Sequence, residues 1–260
     1  MSVESEQHAF QRRYFDAEFA HYERYELPNW RLSFIERIFA SLRVLDGGGP
    51  YLDVGVGGSG ATVIEAARRG VRATGSDLST EGIDVARRFA ASEGVLDRTT
   101  FVVAPAESLP FADNAFGSVS GVAVLEHLDD DGRAAREMAR VLRPGGLAWV
   151  TVPHAFRYMP PPVWPLYWVH DRRIGHKRHY TEASLVRLFR AAGLNHVRTS
   201  FSAHPVKLVQ FLGERLVPSL GRPRSAWWWR LEGRDRDLES RPWGALQLSA
   251  VFRKEADGLG

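Results

Sequence analysis

Between residues 8 and 43, apolar and aromatic side chains recur at helical spacing, first Phe15, Phe19 and Tyr22, then Leu32, Ile35, Ile38, Phe39 and Leu42, with Pro28 between the two groups. That spacing predicts two amphipathic helices. From Tyr51 the texture changes. Short apolar runs at 50–54, 71–76, 100–103, 117–123 and 146–152 predict strands, and amphipathic stretches at 59–69, 80–92, 131–142 and 181–192 predict helices between and after them. Strands alternating with helices imply a parallel sheet covered on both faces. Two more strands, near 195–202 and 245–253, are separated by a long segment rich in Pro, Gly and Trp, so the sheet ends with a different connectivity. The fold class is therefore α/β, with a helical cap over 1–46, a main domain over 47–260, a lid over 153–180 and an insertion over 204–243. The lid rests on the run from Pro153 to His170, which reads as too proline-rich for a helix and too aromatic for an idle linker. A loop merely packed on the core is the alternative.

Length and composition narrow the classes. A chain of 260 residues builds one substantial core with decorations rather than two enzymes. No apolar run approaches the ~18 residues that span a bilayer, and the acidic start Met1–Glu6 carries no secretory signal, so a cytoplasmic location is expected. Cysteine is absent, which removes disulfides, thiolate metal sites and cysteine nucleophiles. The net charge of +3 is unevenly spread: residues 1–150 hold 16 Lys/Arg against 22 Asp/Glu, and residues 151–260 hold 18 against 9. Arginine supplies most of the excess, which suits an anionic small molecule or simply a solvated surface.

The chemistry begins where the first strand runs into Asp53-Val54-Gly55-Val56-Gly57-Gly58-Ser59-Gly60 and a helix follows. Glycines there let backbone approach a ligand at a helix N-terminus. Gly55, Gly57 and Gly60 satisfy the G-x-G-x-x-G spacing, which nicotinamide and S-adenosylmethionine (SAM) proteins share. Asp77 ends the next strand, 22 positions after Gly55, where a carboxylate accepts hydrogen bonds from ribose hydroxyls of either cofactor. Asp53 stands where dinucleotide folds are usually apolar and points instead to SAM. Ala106-Glu107-Ser108-Leu109-Pro110-Phe111, Val124-Leu125-Glu126-His127 and Arg140-Val141-Leu142-Arg143-Pro144-Gly145-Gly146 complete the set.

With these motifs the chain resembles the class I SAM-dependent methyltransferases, in particular the small-molecule group that includes quinone-biosynthesis methyltransferases. The resemblance spans roughly residues 50–200 and takes in Gly175-His176-Lys177-Arg178-His179-Tyr180-Thr181. It implies a Rossmann-like seven-stranded, mostly parallel sheet whose last strand is inserted antiparallel, with SAM across its edge. Asp53, Gly55, Val56 and Gly57 would line the methionine portion, Asp77 the ribose, Leu78 one adenine face, Ala106 and Glu107 the adenine edge, and Gly121 and Val122 the sulfonium. Three departures stand out. Pro105 and Gly117 occupy positions where the family commonly has acids, and the glycine loop is one residue longer than usual.

Methyl transfer needs an in-line nucleophile and sometimes a base, for which histidine suits neutral pH. His127, after the fourth strand, and His154, after the fifth, are the candidates, with a structural anchor as the alternative role of His127. His176 and His179 flank Lys177-Arg178 and would orient an anionic group. With Tyr22, Trp164, Tyr167 and Trp168 they suggest a greasy acceptor such as a prenyl diphosphate, a phenol, a quinone or a sugar of specialised metabolism. On this reading, loss of the Arg178 charge raises the acceptor KM. No metal is expected, because no catechol-type acidic cluster is evident. Trp227-Trp228-Trp229 suits a pocket wall, a dimer contact or core packing, in a monomer or homodimer. A nicotinamide oxidoreductase lacks its Tyr-x-x-x-Lys pair here. A nucleic-acid methyltransferase, encouraged by the pI near 9.4, lacks its Asn/Asp-Pro-Pro-aromatic tetrapeptide at Gly121–Leu125, so no nucleic acid is expected. A SAM-binding protein without methyl transfer is the third alternative.

Overall fold

A computed structural model describes residues 5–207 and 226–256. Helix α1 (Glu6–Phe19) starts at Ser5, whose hydroxyl accepts the His8 N–H, and α2 (Asn29–Leu42) starts after Pro28. The alternating segment follows as β1 (Tyr51–Val54), α3 (Ala61–Arg68), β2 (Ala73–Asp77), α4 (Thr80–Ser92), β3 (Thr99–Val103), β4 (Phe116–Val122), α5 (Asp131–Val141) and β5 (Leu142–Pro153). Then come α6 (Trp164–Ile174), α7 (Glu182–Ala191), β6 (Leu194–Ser202), α8 (Ala226–Asp237) and β7 (Gln247–Lys254).

The strands form one seven-stranded sheet in the order β3-β2-β1-β4-β5-β7-β6. β1 to β5 pair in parallel, and β7 lies antiparallel between β5 and β6. Strand order reverses between β1 and β4, so their C-terminal ends splay connections to opposite faces and open a crevice there. All four β1 residues are buried, as a central strand covered on both faces requires.

One apolar layer joins α2, α3 and α4 to the sheet through Ile35, Phe39, Ile64, Val85 and Trp149. The other joins α5 and α7 through Met138, Leu185, Phe189 and Phe252. Helix α2 is therefore part of the core layer. Each such side chain contributes about 1.5–3 kcal/mol relative to exposure. Local signals agree with the layers: Ser79, Asp130 and Thr181 cap α4, α5 and α7 through side-chain oxygens on backbone N–H groups.

Two boundaries and one element depart from the sequence reading. α3 begins at Ala61 rather than 59 because Gly60 is left-handed, with φ 57°. β5 begins at Leu142, directly on the end of α5, with an irregularity opposite Phe116/Ser118. The larger correction concerns 153–170, where single 3-10 turns at Phe156–Tyr158 and Pro161–Val163 lead into helix α6. Pro165 falls in its first turn, where a missing N–H breaks no intrahelical hydrogen bond, so the proline content does not forbid the helix. Of the tryptophan run, Trp228 is fully buried and Trp229 is partly exposed. α8 is tied to α2 by the Ser33 hydroxyl donating to Glu232 (2.7 Å). Residues 208–225 of the expected insertion lie outside the described residues. No helix among the described residues is long and apolar enough to cross a membrane.

Candidate active site

The glycine loop follows β1 and is anchored to the neighbouring strand by the Gly55 and Val56 N–H groups, which donate to the Ser76 carbonyl at 2.7 and 3.0 Å. Gly55 has φ 72°, and a Cβ there would lie 2.2 Å from Cγ2 of Val124, so the position requires glycine twice over. Asp77 closes the loop from β2. Its carboxylate accepts the Gly57 N–H (2.8 Å) and the Ser79 N–H (2.9 Å). Burial raises the Asp77 carboxyl above the usual carboxylate range, and those N–H donors oppose the rise. Asp53 is buried beneath the loop and takes the hydroxyls of Thr62 and Ser120. Burial pushes its carboxyl up to about 6.

These groups border a cavity of about 410 Å³ that also touches Leu78, Ala106, Glu107 and Val122. Gly121 lies one residue earlier on β4 and is not on its wall. One Glu107 oxygen pairs with His8 (3.1 Å), and the other is buried without a partner among the described residues. Helix α1 lies across the opening. A Cβ on Gly58 or Gly82 would meet the Phe19 ring at 2.6 Å, the Ser79 hydroxyl donates to Asp16, and the Gln7 amide donates to the His127 carbonyl (2.8 Å).

A second cavity, of about 540 Å³, adjoins the first and shares Phe15, Glu18, Ala123, His127 and Gln247 with it. Ala123, at the junction, holds a left-handed φ of 54°, a strained conformation of the kind found where a site fixes its backbone. Its further walls come from Tyr14, Glu126, Tyr167, His170, Arg173 and His176. His127 is neutral because burial drops its pKa to about 3, and burial pushes the Glu126 carboxyl up to about 8. Asp171 receives His176 Nδ1 on one oxygen and His179 Nε2 on the other, each at 2.7 Å.

Of the residues expected from sequence to meet an acceptor, the structure brings Tyr22 to the first cavity, Tyr167 and His176 to the second, and His127 to both. The others face elsewhere. His154 is buried, stacked on Tyr158 at 4.4 Å, and on neither wall, so it cannot serve as a base there. Trp164 donates to the Met159 carbonyl, Trp168 is half exposed beneath the Arg172 guanidinium, and His179 bridges Asp171 and the His154 carbonyl. Arg178 is held by Asp131 (2.8 Å) and donates to the Leu128 carbonyl (3.0 Å). Arg178→Ala is therefore expected to lower urea stability by about 1 kcal/mol while leaving the acceptor KM unchanged, which reverses the effect expected from sequence. A selective rise in KM would restore Arg178 to the acceptor site. Sequence reasoning missed Phe15, Glu18, Thr62, Asp171 and Gln247. Helical spacing marked Phe15 as apolar but not the direction it faces, and Gln247 reaches the site only because β7 inserts beside β5.

Comparison with known proteins agrees with this architecture. The family described as "Methyltransferase domain" matches residues 52–150. Methyltransferase GfsG of Streptomyces halstedii is 38% identical over 111 residues, 43% of this chain and 40% of that protein. The ubiquinone/menaquinone biosynthesis C-methyltransferase UbiE of Geotalea daltonii is 34% identical over 131 residues, 47% of this chain and 55% of that one. The matched segment thus spans about half the length of these relatives or less. Among solved structures, the 4+2 cyclase SpnF aligns with a TM-score of 0.68 and 23% identity over 96% of this chain and 97% of its own. The likeness to solved structures shows the fold, a seven-stranded Rossmann-like α/β sheet. Residues 52–150, under half of the chain, carry the match to that methyltransferase family.

The lining of the first cavity suits a nucleoside cofactor such as SAM. The buried carboxylate of Asp53, the half-buried carboxylate of Asp77 and a Glu107 oxygen without a partner among the described residues line it, and glycine at 55 adds no side chain to that wall.

Proposed function

We propose that the protein transfers the methyl group of SAM to oxygen or carbon of a small-molecule acceptor held in the second cavity. The observation that carries this reading is the direct adjacency of the two cavities, with Ala123 and His127 on the wall of both. SAM supplies an already activated methyl group, so the chain's task is to orient the acceptor and exclude water. Asp53 with Gly55, Val56 and Gly57 would hold the methionine portion. Asp77 would take the ribose, Leu78, Ala106 and Glu107 the adenine, and Gly121 and Val122 the backbone beneath the sulfonium. Helix α1 would shut the site from solvent through Phe19 and the His8–Glu107 pair.

The acceptor is read from the second wall. Tyr14, Phe15 and Tyr167 make it aromatic, and Glu126, His127 and His176 give it one polar end. The cations counted from sequence do not gather there: Lys177 pairs with Asp129, Arg178 with Asp131, and Arg172 lies over Trp168. Arg173 alone of these cations reaches the wall, which Glu18 also lines. This favours a phenol, quinol or sugar hydroxyl over a diphosphate, whose charge needs several converging cations. The test is transfer of labelled methyl from SAM to a panel of phenols, quinols, sugars and prenyl diphosphates. Turnover of a phenol, quinol or sugar with release of S-adenosylhomocysteine supports the reading. SAM binding with no methylated product from any acceptor would favour another reaction on the same scaffold.

Asp53 gives this reading a pH signature. Its carboxyl is raised to about 6, and a cationic ligand prefers the ionised form, so SAM binding weakens as pH falls below that value, by about tenfold per unit. Calorimetry from pH 7.5 to 5 is expected to show this rise in Kd, and Asp53→Asn to bind weakly with a flat profile. An unchanged slope in that variant would remove Asp53 from contact with the ligand.

A further inference from the structure

The polar end of the second cavity has an arrangement that an acceptor hydroxyl alone does not explain. Glu126 and His127 lie on the 3-10 turn Leu125–His127 after β4, and His176 lies in the loop after α6. The two segments are pinned together where the Lys177 N–H donates to the Glu126 carbonyl (2.8 Å). One ligating atom from each of the three side chains lies within 4.8 Å of the others. His176 Nε2 is 3.8 Å from Glu126 Oε1, and the two imidazole centroids are 4.7 Å apart.

Two of the polar atoms are left unused. Glu126 is 1% exposed and His127 8% exposed, yet Glu126 Oε2 and His127 Nδ1 have no hydrogen-bond partner among the described residues. Buried groups of this kind normally have a partner, and each without one calls for an explanation such as an ion or an ordered water. The surroundings prepare the remaining lone pairs. His176 Nδ1 is held on Asp171, which presents Nε2 to the cluster, and Asp171 is fixed from its other side by His179. His127 Nδ1 stays without a partner among the described residues. An imidazole whose far nitrogen rests on a carboxylate or carbonyl is the usual arrangement of a metal-ligating histidine.

We propose that Glu126, His127 and His176 bind one divalent transition-metal ion at the polar end of the second cavity, with Asp171 as the positioning residue of His176. Two imidazoles and a carboxylate suit Zn²⁺, Fe²⁺, Mn²⁺ or Co²⁺. Mg²⁺ and Ca²⁺ prefer oxygen donors throughout. Three protein ligands leave coordination positions open, and the side facing the cavity is where an oxygen of water or of a bound small molecule would complete the shell. The neighbouring cluster of Asp171, His176 and His179 also gathers ligating atoms, but Asp171 and His179 already spend theirs on each other, on His176 and on the His154 carbonyl. The ion site does not depend on which acceptor the protein methylates.

Chelator-stripped protein titrated with Co²⁺, followed by calorimetry and by visible absorption, tests the site. One equivalent is expected to bind with the ligand-field bands of a nitrogen- and oxygen-coordinated ion, displaced by Zn²⁺. Glu126→Gln and His176→Ala are each expected to weaken binding by about tenfold or more, and Asp171→Asn by roughly 10–100-fold, with thermal melting confirming that each variant is folded. X-ray absorption of the wild-type Co²⁺ complex, which needs no variant, is expected to show imidazole scattering. Failure of the wild type to bind Co²⁺ saturably, a bound ion without imidazole ligands, or wild-type affinity in Glu126→Gln would each overturn the proposal. So would loss of binding in His179→Ala with Glu126→Gln unaffected, which would place the ion on the other cluster.

Discussion

Asp77→Ala is expected to raise the Kd of S-adenosylhomocysteine by at least about a hundredfold in calorimetry. The carboxylate ends β2 at the lip of the crevice, and its two oxygens already fix the loop through the Gly57 and Ser79 N–H groups. A ribose hydroxyl pair would add two charge-assisted hydrogen bonds, each worth about 1.5–3 kcal/mol. Losing both amounts to about 3 kcal/mol or more, which at about 1.4 kcal/mol per decade is a hundredfold or greater. Alanine also strands two N–H groups that the loop needs for its shape, so part of the loss comes from a disordered cradle. Asp77→Asn separates the contributions. It keeps an acceptor for one N–H and removes the charge, and an intermediate affinity is expected. A Kd within threefold of wild type in Asp77→Ala, with an unchanged melting temperature, would mean that the nucleoside binds elsewhere.

The strand-end residues that line the first cavity were legible in the sequence because their signals are local. Asp53, the glycines and Asp77 each sit at the end of a short apolar run, and the β-α-β connection alone brings those ends together. The second cavity was opaque for a different reason. Pro160, Pro161, Pro162 and Pro165 masked the helical periodicity of α6, so its aromatic and basic residues read as one greasy, cationic surface. As a helix it divides them: Tyr167, His170 and Ile174, spaced three and four apart, line the cavity, while Trp168 and Arg172 stack on the opposite side. His154 was misplaced for a related reason. It does follow β5, but its imidazole turns beneath the sheet end onto Tyr158 and the Ala245 carbonyl, not toward the crevice. The cluster of Glu126, His127, Asp171 and His176 is invisible to any local reading, because α5 and β5 separate its two halves along the chain.

Gly117 shows how a departure from the family pattern is fixed by packing, and Gly117→Ala is expected to destabilise the fold by about 3–5 kcal/mol, read as a lower urea midpoint. A Cβ at this position of β4 would sit 1.7 Å from the Gly48 carbonyl oxygen and 2.7 Å from its carbon. Those are backbone atoms, so no side-chain rotation relieves the collision. The segment leading into β1 would have to withdraw, which breaks the hydrogen bond from the Gly117 N–H to the Pro50 carbonyl (2.9 Å) and shifts a strand that is buried throughout. Since β1 carries the glycine loop, the same displacement should weaken cofactor binding as well as stability. Gly117→Asp, which installs an acid where the family commonly has one, is expected to be worse still, because its carboxylate would be driven against a carbonyl oxygen. Gly48→Ala is the matched control. The added Cβ meets nothing within 4 Å, so its urea midpoint is expected within about 0.5 kcal/mol of wild type. Equal effects of the two alanines would show that the close approach of Gly48 to β4 is not what excludes a side chain at 117.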